Sequence, residues 1–175
     1  MPAASLRTGR APTTVEVRVS ARTRLPLACT DAERLARTVL RAEGVRDAML
    51  SITFVGRQGI RSLNRRHRGR DSHTDVLAFT LQAGTGAQGL GSGGHGGTGA
   101  RGHDRVVVGD IYVCAPVAVG QAGRFGAAPV EELRRLLVHG VLHVLGYDHP
   151  DGPRRTTSAM WRRQEQLLAR LGRRR

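Results

Sequence analysis

Lysine is absent from this 175-residue chain, so all 28 basic residues are arginine, a bias that a GC-rich genome is enough to explain. Cysteine is limited to Cys29 and Cys114, far apart and outside any Cys-x-x-Cys pattern. That excludes a disulfide framework and a thiolate zinc site. Aromatic residues make up only 3%, too few to assemble a base-stacking surface of the RNA-recognition or OB type. No apolar run approaches the roughly 20 residues a bilayer requires, and the segment from Met1 to Arg10 lacks the apolar core of a signal peptide. The expectation is a soluble, cytoplasmic protein with no membrane partner. Acid is also scarce: 14 carboxylates against 28 arginines leave a formal charge of +14. Such a charge attracts polyanions over a Debye length. Nucleic acid is the leading partner class by charge, anionic lipid the second, and contact through phosphates should be salt-sensitive.

The length suits one domain, and 39% hydrophobic residues suffice for a core. Residues 1–13 read as a flexible tail and 14–172 as a single domain. Val15, Val17 and Val19 alternate with polar residues as a first strand, and Leu50, Ile52 and Phe54 as a second. Between them Thr30-Asp31-Ala32-Glu33 has capping-box spacing, and Gly44 supplies a helix stop. Gln58 to Asn64 reads as a short helix leading into a basic run, and Thr74 to Phe79 as a third strand. From Gly84 to Gly102 ten of 19 residues are glycine, a composition that predicts a disordered insertion between two strands. Val106 to Cys114 reads as an interior strand. Pro129 with Glu131 and Glu132 opens a helix that is apolar on almost every side and therefore buried. A last helix opens near Asp151-Gly152-Pro153 and runs through Met160 to Leu171. The pattern predicts an α+β domain, a small mixed sheet covered by helices.

Chemistry concentrates at the end of the buried helix. His139 and His143 stand four apart on one helical stripe, and Gly146 suits a left-handed cap that lets the chain double back and present His149 to the same point. One such histidine would pass as an ordinary core residue. Three in an apolar helix and its following turn point to a metal, because unpaired buried polar groups are costly. Three imidazoles leave a tetrahedral ion one open position and suit zinc, with other divalent transition metals chemically admissible. The same offsets occur in the metzincin peptidases, with Met160 available as a floor beneath the site. Position 140 is glycine, however, where those enzymes carry their glutamate base.

The segment His139-Gly140-x-Leu142-His143-x-Leu145-Gly146-Tyr147-Asp148-His149 resembles the signature of the YbeY-type endoribonucleases, bacterial ribosomal-RNA maturation factors. Leu63-Asn64 with Arg68, Thr74-Asp75-Val76-Leu77-Ala78-Phe79, Gly109-Asp110-Ile111, and Met160 followed by Glu165 are similar to further blocks in the family's order. The resemblance covers about residues 14–170; His67, Ala78 and the glycine-rich stretch depart from the family's usual pattern. It implies one zinc ion on His139, His143 and His149, a functional Arg68, and partners in single-stranded ribosomal RNA, the small ribosomal subunit and its assembly factors. The implied activity is single-strand-specific RNA cleavage in ribosomal-RNA maturation and ribosome quality control, without a small-molecule cofactor. A guanidinium at Arg68 suits a pentacoordinate phosphorus, offering two donors to its oxygens. Asp148 is expected either to orient a ligand histidine or to bond its own turn backbone. Tyr147 is expected to pack. The competing readings are a non-catalytic, metal-stabilised RNA- or ribosome-binding assembly factor and a metzincin-like zinc peptidase.

Overall fold

The computed structural model describes residues 14–82, 106–150 and 152–172; the expected tail and the glycine-rich stretch at 84–102 lie outside them. The elements are β1 (Val15–Ala21), α1 (Cys29–Ala42), β2 (Ala48–Val55), α2 (Arg57–Arg68), β3 (Val76–Gln82), β4 (Val107–Cys114), α3 (Ala115–Phe125), α4 (Pro129–Val144), a 3-10 turn (Pro153–Thr157) and α5 (Ala159–Gly172). The strands order as β1-β2-β4-β3, with β1–β2 and β2–β4 parallel and β3–β4 antiparallel. This is the small mixed sheet that the sequence predicts, with β4 in its interior.

Side-chain alternation divides the core. Leu50, Ile52 and Phe54 of β2 and Ile111 and Val113 of β4 join α1, α4 and α5 in the larger cluster. Leu77 of β3 and Cys114 of β4 form a smaller one with Ile60 of α2. Helices therefore cover the sheet on both faces, α2 on one and the rest of the core helices on the other.

The buried helix α4 carries Leu133, Leu136, Leu137, Val138, Val141 and Leu142, all inaccessible to solvent. Each such side chain contributes about 1.5–3 kcal/mol through burial. Two glycines bring α4 against β4. A Cβ on Gly140 would lie 2.7 Å from Ile111 Cγ2, and one on Gly109 would lie 2.5 Å from Val144 Cγ1 and 2.9 Å from the Phe79 carbonyl oxygen. The contact is reciprocal: helix glycine meets strand isoleucine, and strand glycine meets helix valine. The Thr80 hydroxyl adds a hydrogen bond to the Val144 carbonyl at 3.1 Å.

Several boundaries differ from the sequence reading. The capping box at Thr30 does not form, because α1 begins at Cys29 behind Ala28, whose carbonyl accepts from Asp31 and Ala32. Leu27 is buried in the core just before that start. Helix α2 does not end at Asn64 but absorbs the basic run and stops at Gly69, whose φ is +65°. Arginine is a good helix former, so nothing breaks the helix earlier. Strand β3 starts at Val76, not Thr74, since the Asp75 carboxylate accepts from the Val76 amide at 2.8 Å and holds a turn. Helix α5 starts at Ala159 after the 3-10 turn, with the Ser158 hydroxyl accepting from the Trp161 amide at 3.1 Å. Helix α3 was not anticipated: its small residues and two internal glycines give weak periodicity, although Pro116 and Gly126 mark its ends. Both cysteine thiols are free.

Candidate metal centre

Helix α4 ends in a motif that aims the chain back at itself. The Gly146 amide donates to the His143 carbonyl at 2.9 Å and the Tyr147 amide to the Leu142 carbonyl at 3.0 Å, with Gly146 at φ +90°. These are the paired bonds of a Schellman cap, which only a residue at ease in the left-handed region closes without strain. The reversal carries His149 to the stripe occupied by His139 and His143. Nε2 of His139 lies 3.1 Å from Nε2 of His143 and 3.2 Å from Nε2 of His149. The sequence-predicted trio is thus brought to one point, its ligand atoms all within 4.8 Å of one another.

The opposite ring nitrogens identify the tautomers. His139 Nδ1 donates to Gln164 Oε1 at 2.8 Å, His143 Nδ1 to the Tyr147 carbonyl at 3.1 Å, and His149 Nδ1 to the Pro150 carbonyl at 3.2 Å. Each acceptor is an oxygen without a proton to give, so each Nδ1 carries the hydrogen and each neutral ring turns an Nε2 lone pair to the centre. Three lone pairs at this separation repel unless a cation lies among them. Zinc–nitrogen bonds of about 2.0–2.1 Å in a tetrahedron give an edge of about 3.3 Å, close to the two spacings from His139 Nε2. The three histidines can therefore hold a metal ion.

Electrostatics favours the neutral, ligand-ready form. Burial, followed by the charge of His143, pushes the pKa of His139 down to about 3. His143 is also lowered, first by burial and then by His149; Arg68 pushes the same way, against Asp148.

The other predicted residues separate. Arg68 is exposed at the end of α2, and its charge is felt at His143. Asp148 accepts from the backbone amide of His149 at 2.8 Å, the turn-residue role; among the described residues it bonds no imidazole. Met160 is fully buried one turn before Gln164 on α5. His67 packs its ring on Phe79 with centroids 4.9 Å apart and is not one of the three converging imidazoles, while His95 and His103 lie outside the described residues.

Two supporting residues escaped the sequence reading. Gln164 is fully buried and fixes His139, and its signal was readable: it interrupts the apolar stripe Met160, Leu167, Leu171 of α5. Tyr147 does more than pack, since its hydroxyl donates to Glu43 at 2.8 Å. Position 140 also explains the lost glutamate of the peptidase pattern. It points at Ile111 and Val76 of the sheet, where no side chain fits.

The model of the family described as Endoribonuclease YbeY matches residues 20–172. The chain is 39% identical over 139 residues to the Endoribonuclease YbeY of Pelotomaculum thermopropionicum, covering 79% of this chain and 82% of that one. It is 40% identical over 142 residues to that of Geobacillus kaustophilus, covering 80% and 84%. A solution structure of a Thermotoga maritima protein shares the fold with a TM-score of 0.52 at 23% identity, over 87% of each chain. A folded domain with three converging imidazoles, matched over nearly its whole described length, belongs to the YbeY endoribonuclease family.

Proposed function

We propose that this protein is a zinc-dependent endoribonuclease that cleaves single-stranded RNA in the cytoplasm, acting in ribosomal-RNA maturation and ribosome quality control. Its partners in this reading are ribosomal RNA, the small ribosomal subunit and its assembly factors. The observation that carries it is the convergence of three imidazole Nε2 lone pairs in a chain whose relatives are named endoribonucleases. His139, His143 and His149 are the proposed ligands. A zinc ion held there supplies Lewis acidity, lowering the pKa of water and polarising a phosphate oxygen.

The remaining work falls to the chain. Gln164 and the Tyr147 carbonyl hold the imidazoles in the tautomer that faces the centre. Arg68 is the proposed catalytic arginine: its exposed guanidinium binds the scissile phosphate and offsets the charge that grows on the non-bridging oxygens. A peptidase-type carboxylate base is unnecessary here, because acidified water needs less help.

The test is cleavage of a labelled single-stranded ribosomal-RNA fragment by the purified protein beside His143→Ala prepared identically. Cleavage by the parent alone, abolished by chelator and restored by zinc, supports the reading. Equal cleavage by both, or none by either with metal bound, overturns it in favour of a metal-stabilised binding factor. Casein digestion lost in the same variant would revive the peptidase.

A further inference from the structure

Helix α2 carries a one-signed charge pattern that the core does not use. Arg57, Arg61, Arg65, Arg66 and Arg68 are all exposed, and the helix contains no carboxylate. Four arginines of α1 and α4 pair on their own helix: Arg34 with Asp31 and Arg37 with Glu33 on α1, Arg134 with Glu131 and Arg135 with Glu132 on α4. On α2 the sole ion pair among the described residues is made by Arg61, with Asp71 beyond the helix end, at 2.7 Å. Arg57 sits at the first helical position, the positive end of the helix dipole. Arg57, Arg61 and Arg65 also repeat at the four-residue spacing at which like charges repel. Arg57 at the first position and the like-charge repeats weaken the isolated helix, while Arg65, Arg66 and Arg68 in the last turn suit its dipole; none serves the core, which takes Ile60 and Asn64 from the adjoining face.

The pattern is ordered as well as basic. At 3.6 residues per turn, positions 57, 61, 65 and 68 fall within an arc of about 80° and span about 16 Å, with about 6 Å between neighbours four apart. An extended nucleotide backbone can match that step with successive phosphates. Guanidinium groups are suited to phosphate oxygens, offering paired donors. The row ends at Arg68, whose charge is felt at His143. We propose that this flank of α2 is a ridge that binds the phosphate backbone of single-stranded RNA and leads it to the metal centre through Arg57, Arg61 and Arg65. The ridge rests on the RNA reading above and adds the path of the substrate.

The test compares RNA of two lengths. Steady-state cleavage of 4- and 20-nucleotide single strands by the zinc-loaded parent and by an Arg57→Gln/Arg65→Gln variant separates the ridge from the centre. The variant should raise KM for the long strand about tenfold while kcat stays unchanged, and leave both constants unchanged for the short one. The plot of log kcat/KM against log salt should flatten by about 1.4, two single-strand phosphate contacts at about 0.7 each. Asp71→Asn, which releases Arg61, should lower KM for the long strand. Equal changes on both lengths, or no change in KM and slope, overturn the ridge. Fluorescence anisotropy with a labelled phosphorothioate 20-mer reads binding apart from turnover. A parent that binds without cleaving, and a variant that binds more weakly, would keep the ridge and remove the nuclease reading. A parent that does not bind the strand, or a variant that binds it as well, overturns the ridge.

Discussion

The hydroxyl of Tyr147 donates to Glu43 Oε2 at 2.8 Å, tying the turn that bears His149 to the end of α1, 104 residues earlier in the chain. The second oxygen of Glu43 accepts from Arg163 Nε at 2.7 Å, so α5 holds the same carboxylate. Tyr147 is also the residue whose carbonyl fixes the His143 ring. Tyr147→Phe keeps the packing and cuts the tether. Outer contacts of this kind are worth about 10–100-fold in metal affinity, and the tether is expected at the low end, about tenfold. Competition with a chelating dye measures it; an unchanged zinc affinity would reduce the contact to packing.

Gln164→Leu removes the acceptor for His139 Nδ1 inside the core. An orphaned buried N–H costs about 1–3 kcal/mol. The metal-free protein should lose that much in urea denaturation, and the holoprotein should lose zinc affinity in addition. If stability is unchanged, His139 has found another acceptor.

At Gly140 two effects oppose each other. Alanine favours a helix interior by about 1 kcal/mol. The added Cβ would sit 2.7 Å from Ile111 Cγ2, and overpacking of a tight core costs about 1–3 kcal/mol. Gly140→Ala is therefore expected to lower the urea midpoint, and Gly109→Ala to lower it more, since backbone as well as side chain stands in its way. A midpoint that rises in Gly140→Ala would mean that α4 moves away from the sheet.

Acid should destabilise the metal-free protein over a defined window. The folded pKa of His139 is held at about 3, against 6.5 for an ordinary imidazole. Above pH 6.5 both states are neutral and stability is level. As pH falls below 6.5 the unfolded chain takes up a proton that the folded chain refuses until about pH 3, so unfolding is favoured throughout that interval. His143 acts in the same direction. Urea midpoints at pH 7.5, 6 and 5 should fall in that order, and a His139→Gln variant should show a shallower fall.

The sequence displayed the metal trio because its spacing is local: two histidines one helical turn apart, a glycine cap, and a third within the turn. It displayed β1 and β2 because alternation reports burial directly, and β4 because a nearly unbroken apolar run marks a strand covered on both faces. What supports the trio was harder to see. Glu43 meets Tyr147 only through the tertiary fold, and no local pattern relates residues 104 apart. Gln164 lay between, visible as a polar residue on an apolar stripe but without a partner until α5 is packed on α4. Gly140 looked like a missing base and is instead the condition for helix and sheet to touch. The end of α2 was misplaced because arginines score as a solvated run as readily as a helix.

That contact between α4 and β4 has a kinetic consequence. His139 and His143 are fixed to a helix that the glycine pair holds against the sheet, so neither ring can retreat without deforming the core. His149 rides on the turn that follows, where two backbone bonds close the cap and the residues on either side are exposed. A metal ion held here would therefore be expected to lose His149 first, and metal-release kinetics in a His149→Ala variant would test that order. On that expectation the turn at 146–150 would govern how long an ion stays, and the helix where it returns.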